Sequence, residues 1–514
     1  MELPDSLTIT WTLVALFASL FCWYLYRHFT QLRRRGIPGP TPWPLFGNLL
    51  HQFIKGFEKT DAEWLNKYGQ IVGFYNGYQP AVLVTDPELL KMVLVKNFPN
   101  FSNRPVPKNI PQLLANGIFF MKGRKWKKTR NILTPTFSAA KLKYFLPIIN
   151  SCAETLVKHL EKRIGENVPV RKSFSHFTMD AIASTAFGID IDSQNQPNEP
   201  FVTNIDAIFQ PNKLARLYVL FTSSIPFLGD AFSRLGLSSS PSKSLDFYEQ
   251  TGQALIDERK KQKMPRVDFI ELLMNAELDA SRMEYVHNGV EMGNGAHTAN
   301  GELKEKLTDY EVNAQAFTFF LAGFETTASL LRYATYMLAL RPDIDEKLCN
   351  EISENIGEDI PTYDNIGTLK YMDQFISETL RFYPPVPRLS RLAQEDLVYK
   401  DMVIPKGTSV VIPAWSVHHD PNHYPDPETF DPDRFAPEKK SSYPSEGVTF
   451  LPWGLGPRHC IGMRLAQVEA KVALVHLLRN FRFEKCDQTQ VPLDLSHVGL
   501  LRPRTPITLR LQRR

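Results

Sequence analysis

Apolar and polar positions follow a few distinct rhythms along this chain, and each rhythm predicts an element. From Leu7 to Tyr26 there is no formal charge, a run long enough as a helix to cross a bilayer core of roughly 30 Å. Ile71 to Tyr75 and Ala81 to Thr85 are apolar clusters either side of Asn76-Gly77, the pattern of a β-hairpin. Asp86-Pro87-Glu88 then opens a helix with Leu89, Leu90, Val93 and Leu94 on one face. Thr308-Asp309-Tyr310-Glu311 is a capping box, and helical periodicity continues without a break to about Leu340. Val386 to Leu392 reads as a strand. In Trp453-Gly454-Leu455-Gly456-Pro457-Arg458-His459-Cys460-Ile461-Gly462, glycines and a proline surround one cysteine. Ile461, Leu465, Val468, Val472 and Val475 follow at helical spacing, so a tight loop should feed a helix with Cys460 at its N-terminus. Residues 145–276 read as mostly helical, and the Gly- and Asn-rich stretch 285–302 as a mobile surface loop. The expected fold class is mainly α with small β-sheets.

Charge gives the first run its sense. Glu2 and Asp5 precede it, Arg27, Arg33, Arg34 and Arg35 follow, and Trp11, Trp23, Tyr24 and Tyr26 stand near its ends as interfacial aromatics. The expectation is an uncleaved signal anchor over residues 1–26, with everything after it cytosolic. Residues 27–44 are basic and then proline-rich, which predicts a stiff spacer setting the angle of a body over 45–514. Asn100-Phe101-Ser102 has the form of a glycosylation sequon, unused in that topology. For Leu214 to Phe232, the most apolar part of the middle, two readings stay open: burial in the core, or dipping into the bilayer.

Composition removes several function classes. A net charge of +4 on 514 residues gives no case for a nucleic-acid binder, and the 38 prolines imply many loops. Cys22, Cys152, Cys349, Cys460 and Cys486 are odd in number and scattered, which excludes a disulfide framework and suggests a reducing compartment. Neither a phosphate-cradling loop nor a dinucleotide fingerprint occurs, so no flavin or nicotinamide domain is built in. His418, His419 and His423 lie in His-His-Asp-Pro-Asn-His, which is turn chemistry rather than a metal site.

Four stretches carry chemistry. A lone cysteine is more often a small core residue, but Cys460 on a glycine loop at a helix N-terminus is a site for a thiolate, and a soft anionic sulfur suits heme iron. Within Lys122 to Arg130, Trp126 and Arg130 share a helix face, although such a run alone is more readily a solvated basic surface. In Ala322-Gly323-Phe324-Glu325-Thr326-Thr327, small residues let a flat group approach and a hydroxyl beside an acid relays protons; alone it would be a local bend bonded to i−4 carbonyls. Glu378 and Arg381 pair across one helical turn, which on a surface contributes only roughly 0.3–0.5 kcal/mol.

Together these stretches resemble the cytochrome P-450 superfamily. Trp453 to Gly462 is similar to its heme-binding loop Phe-Gly-x-Gly-x-Arg-x-Cys-x-Gly, with Trp453 where the family usually has Phe. Trp126 and Arg130 match Trp-x-x-x-Arg, Ala322 to Thr326 match Ala/Gly-Gly-x-Asp/Glu-Thr, and Glu378 and Arg381 match Glu-x-x-Arg. Pro432-Asp433-Arg434-Phe435 matches Pro-Glu-Arg-Phe with Asp433 in place of Glu. The likeness covers the chain after the anchor and, in Phe101 to Arg104 and Trp126 to Leu142, is nearest the microsomal clan of family three and thromboxane synthase.

The resemblance implies one triangular, mainly helical domain with a β-rich side, and a heme b whose iron Cys460 ligates. It places Arg104, Trp126, Arg130, Arg391 and Arg458 toward the heme propionates, Ala322 and Trp453 beside the heme, and Glu325 and Thr326 as the groups handling oxygen and its protons. The Trp453 indole N–H is expected to tune the sulfur. Glu378, Arg381 and Arg434 would clamp the segment beneath the loop. Ile118, Phe119, Phe120, Phe319, Val386 and Leu500 would line an apolar pocket for a fatty acid, steroid or xenobiotic, with Val498 to Leu501 as its last turn. The implied activity is that of an endoplasmic-reticulum monooxygenase, single-pass in the membrane, using O2 and NADPH-derived electrons. An NADPH-dependent flavoprotein reductase would supply them, with cytochrome b5 as a second donor, and Lys125, Lys127 and Lys128 would face the acidic partner. The rival readings are a heme-thiolate isomerase or dehydratase acting on lipid peroxides, against which the intact Glu325-Thr326 pair argues, and a non-catalytic heme-binding protein.

Overall fold

The capping box does what its spacing predicts. Thr308 Oγ1 accepts the Glu311 N–H at 3.2 Å, and the Glu311 carboxylate accepts the Thr308 N–H at 3.1 Å. From there the Asp309–Leu340 helix runs unbroken for 32 residues and is buried over most of its length. Helices Val170–Ile182, Ser242–Lys261, Lys370–Phe382 and Met463–Asn480 pack around it. In this computed structural model the described residues are 6–514, apart from 108–109, 197, 210–212, 235–240, 262–267, 277–305, 443–446 and 497–498. The predicted mobile loop at 285–302 and Val498 therefore lie outside the described residues.

The β side is small. Ile71–Asn76 and Gln79–Val84 form the expected hairpin, with Ile71 opposite Val84 and Asn76 opposite Gln79. Ser409–Ile412 adds parallel to its second strand, and Leu389–Leu392 completes a four-stranded sheet antiparallel to that. The strand predicted from Val386 thus begins at Leu389, because Pro387 cannot donate to the ladder. Asn167–Pro169, Thr508–Arg513 and Phe481–Glu484 make a second, three-stranded sheet. Gly77 turns the hairpin at φ +65°, where a Cβ would lie 2.2 Å from the Ser223 carbonyl oxygen.

In the N-terminal region, the start of the expected stiff spacer is packed onto the body. The helix expected to be the anchor is Ser6–Phe29, apolar and long enough over Leu7–Phe29 to cross a membrane, and exposed from Leu7 to Tyr24. Its C-terminal end docks on the hairpin: His28 stacks on Tyr78 with ring centroids 3.8 Å apart, and Tyr75 Oη donates to the His28 carbonyl at 2.9 Å. Phe29, Leu32 and Ile37 are buried in the cluster beneath the β side. The direction of this helix relative to the body is therefore set by packing of residues 28–37, and the prolines that follow line the surface. Of the two readings of Leu214 to Phe232, core burial fails for Lys213–Ser224, where Leu214, Leu217, Val219 and Phe221 are exposed.

Candidate functional site

The cysteine loop is held by backbone geometry that only glycine allows. Gly454 and Gly456 have φ +69° and +74°, and a Cβ on Gly456 would stand 1.9 Å from the Leu94 carbonyl oxygen. Cys460 lies just ahead of the Met463–Asn480 helix, and its N–H donates to the Trp453 carbonyl at 2.7 Å. Protein surrounds Cys460 while its side chain stays accessible, so it faces an internal cleft. Burial pushes its thiol pKa up; the Gly462 and Met463 N–H groups, Arg130 and Arg104 pull the other way.

Trp126 and Arg130 are buried on one face of the Gly123–Leu133 helix, as their spacing predicts. Arg104, Arg130, Arg391 and Arg458 lie within electrostatic reach of one another. Burial, and then the charges of Arg391, Arg458 and Arg130, hold the Arg104 pKa well below its ordinary value. Burial likewise brings Arg391 down to about 10. Among the described residues no carboxylate pairs with Arg104, Arg391 or Arg458, and Arg391 Nε has no hydrogen-bond partner. Cations gathered in this way beside an inward-facing thiol fit a group that carries carboxylates and takes a sulfur ligand. A heme meets both conditions.

Two of the predicted members also have partners within the protein. Arg458 Nε donates to the Ser102 carbonyl at 2.7 Å, Nη2 to Met121 at 2.6 Å and Nη1 to Ile118 at 3.3 Å, while the guanidinium lies 4.2 Å from the Trp126 ring centroid. Each guanidinium nitrogen thus meets a main-chain carbonyl, Nη2 keeping a second N–H, and Arg458 fastens the loop to the segment before the basic helix. Trp453 makes its hydrogen bond to Cys460 through its carbonyl, and its indole N–H makes none to the sulfur. Phe would keep that carbonyl. Trp453→Phe is accordingly expected to leave the reduction potential nearly unmoved in a potentiometric titration, against the tuning expected from the sequence.

On the central helix, Ala322 is exposed to the cleft side and Thr326 is part-exposed, with Thr326 Oγ1 donating to the Ala322 carbonyl at 2.6 Å. Glu325 is turned elsewhere. Its fully buried carboxylate lies 3.3 Å from Arg502 Nε, 3.5 Å from Arg332 Nη1 and 3.6 Å from Arg171 Nη2. Sequence reasoning missed this arginine cage. Arg332, two turns along an otherwise apolar helix, was its one local signal.

Of the pocket candidates, Phe319 is buried, with its ring 5.2 Å from Phe137 and 5.4 Å from Phe269. Phe119 is exposed, with the Arg104 guanidinium 4.2 Å over its ring and Phe120 4.8 Å away, and Ile118 is as buried as Phe319. Val386 and Leu500 are part-exposed, and the Leu501 N–H bond to the Pro385 carbonyl at 2.9 Å brings their turns together.

The clamp assembles as expected. Glu378 holds Arg381 in a bidentate pair at 2.7 and 2.8 Å, and Arg434 Nε lies 3.4 Å from the same carboxylate. His418, read from sequence as a turn residue, is fully buried and bridges to the cysteine loop: its Nε2 accepts the Leu451 N–H at 2.9 Å, so its Nδ1 donates to the Arg381 carbonyl at 3.1 Å. No metal-binding cluster involves the three histidines among the described residues.

The Cytochrome P450 family profile matches residues 37–511. The chain belongs to the cytochrome P450 family. Cytochrome P450 3A41 of Mus musculus is 37% identical over 521 residues, covering 99% of this chain and 98% of that protein. Cytochrome P450 3A12 of Canis lupus familiaris and cytochrome P450 3A7 of Homo sapiens are also 37% identical, each over 522 residues and all of this chain, covering 98% and 99% of theirs. The chain is a cytochrome P450 monooxygenase, using heme as cofactor with O2 and NADPH as co-substrates. A reductase and a substrate are its partners.

Proposed function

We propose that this P450 oxygenates lipophilic molecules at the membrane surface, with Cys460 as the iron ligand. The observation that carries the assignment is the gathering of Arg104, Arg130 and Arg391 beside the Cys460 thiol. In this reading Arg104, Arg130 and Arg391, with Trp126, hold the propionates and Arg458 keeps the loop in place. Heme bound there supplies the electron and O2 chemistry that inserts one oxygen atom into the substrate.

Thr326, on the cleft side, is the residue that hands a proton to the reacting oxygen. Glu325, ringed by Arg171, Arg332 and Arg502, relays a proton taken up from solvent to Thr326 when its side chain turns away from the arginines. Ile118, Phe119, Phe120, Val386 and Leu500 exclude water from the substrate and select it by apolar contact, which suits fatty acids, steroids and xenobiotics alike.

The exposed apolar face of Lys213–Ser224 lies on the anchor's side of the molecule: the Tyr78 N–H donates to the Ser223 carbonyl at 2.9 Å, and Tyr78 contacts the anchor helix. That supports a single-pass protein of the endoplasmic reticulum, its catalytic body cytosolic and resting on the bilayer. Lys122, Arg124 and Lys127 are exposed on the basic helix, a face for an acidic reductase or cytochrome b5; Lys125 is shared with Glu311 at 3.0 Å.

Reconstitution with a flavoprotein reductase tests the reading. The reduced carbon monoxide complex should absorb at the long wavelength of a thiolate-ligated heme, and lipophilic substrates should give products only with NADPH. Turnover of lipid hydroperoxides without reductase, and no NADPH-dependent product, would favour the isomerase instead. Thr326→Ala should lower product formation roughly 10²-fold with the carbon monoxide spectrum unchanged. Retention of full turnover would remove Thr326 from the proton path.

A further inference from the structure

A groove of about 530 Å³ lies where the anchor helix meets the catalytic body. That is within the ~300–1,000 Å³ range of sites for small molecules. One wall is the cytosolic end of the anchor, through Leu25, Tyr26 and Phe29; the other is the Pro40–Pro44 stretch, and Ile37, Gly73 and Tyr75 form its floor. Arg33 and Arg34 stand at its margin, and no acidic side chain lines it.

The groove is a fixed feature. His28 Nε2 meets the Tyr78 carbonyl at 2.8 Å, the His28 and Tyr78 rings stack, and Phe29, Leu32 and Ile37 are buried beneath. Each arginine spends one donor on a main-chain carbonyl, Arg33 on Gly39 at 3.3 Å and Arg34 on Arg27. Both guanidiniums remain exposed.

We propose that this groove binds an anionic phospholipid, one acyl chain lying between the anchor helix and the Pro40–Pro44 stretch and the phosphate held by Arg33 and Arg34. Position and chemistry argue for it together. The groove starts on the last turns of the membrane-length helix, so a chain can pass from the bilayer into it without crossing water. A neutral lipophile would make no use of the two cations at the margin, and a soluble anion would leave the apolar walls wet. A phospholipid with net negative charge satisfies both, and the cytosolic leaflet supplies such lipids. Binding there would pin the tilt of the body on the membrane. The proposal rests on the anchored reading of residues 6–29.

The test uses the full-length chain in phosphatidylcholine vesicles doped with phosphatidylserine or phosphatidylcholine carrying the same photoactivatable acyl chain. Cross-links are mapped by peptide mass spectrometry. The serine lipid should label residues 22–44 and 73–75 roughly tenfold more than the choline lipid, since two arginines meet its charge. Arg33→Glu with Arg34→Glu should abolish that excess, and Thr30→Trp, which fills the groove, should reduce labelling of 40–44 while the protein stays on the vesicles. Equal labelling by the two lipids, or labelling indifferent to the arginine pair, would overturn the site alone. A chain that fails to float with either vesicle would overturn the anchor and the site with it.

Discussion

Glu378→Gln is expected to leave the chain unable to keep its heme, although Glu378 touches neither the cleft nor Cys460. Its carboxylate is fully buried between Arg381 and Arg434, and it also accepts the Asp431 N–H at 2.9 Å. Burial pushes its pKa up, and the Arg381 fork works against that. Glutamine keeps the shape and removes the charge, so two guanidiniums stay in the interior without a counter-ion, which costs about 3–5 kcal/mol. That is a large share of the ~5–15 kcal/mol by which native proteins are stable. The disturbance has a route to the site, because the Arg381 carbonyl holds His418 and His418 holds Leu451, at the start of the cysteine loop. A purified Glu378→Gln chain should contain little heme and show a lowered denaturant midpoint.

Distance alone does not make this prediction. Lys143 and Asp364 are also close, 2.9 Å apart, but both are well exposed, and Asp364→Asn should change stability by less than about 1 kcal/mol. Burial is what separates the two pairs. A Glu378→Gln protein with full heme content and an unchanged midpoint would show that the clamp is replaceable.

Contacts within one or two helical turns were legible in the sequence. The Thr308 box, the Glu378–Arg381 pair, the Trp126–Arg130 face and the Gly454–Cys460 loop all depend on residues close in the chain, and each has its predicted form. What stayed hidden depends on which distant segments meet. Phe319 shares a helix side with Ala322 and Thr326, yet its ring goes to Phe137 and Phe269, whose approach no local pattern announces. Glu325 and Thr326 are adjacent in sequence but diverge by about 100° around the helix, so one reaches the cleft side while the other meets Arg171 and Arg502 from remote elements. His418 was read as a turn residue but ends the short helix Ala414–His418, and the Leu451 it holds lies at the start of the distant loop that carries the cysteine.

Glu469→Gln is expected to do the opposite of Glu378→Gln and stabilise the protein, increasingly so as pH rises. Glu469 lies on the Met463–Asn480 helix against the central helix, hydrogen-bonded to Thr327, with Oε1 left without a partner. Cys152 and Asp180 are the titratable groups nearby: the Cys152 thiol, raised chiefly by burial, also feels the charges of Asp180 and Glu469, and burial raises Asp180 to about 6. No cation offsets Glu469, and burial raises its pKa from 4.5 to about 8. The sign follows from proton counting. Between pH 4.5 and about 8 the folded chain keeps a proton that the unfolded chain has released, so stability falls through that window. At pH 7 the loss is roughly 3 kcal/mol. Glutamine carries no charge at any pH and can keep the bond to Thr327. Denaturant midpoints of the two proteins should nearly coincide below pH 4.5 and diverge up to about pH 8, the variant being the more stable. Parallel midpoint curves across that range would mean that Glu469 is ionised in the folded protein, with a counter-charge or water reaching its free oxygen.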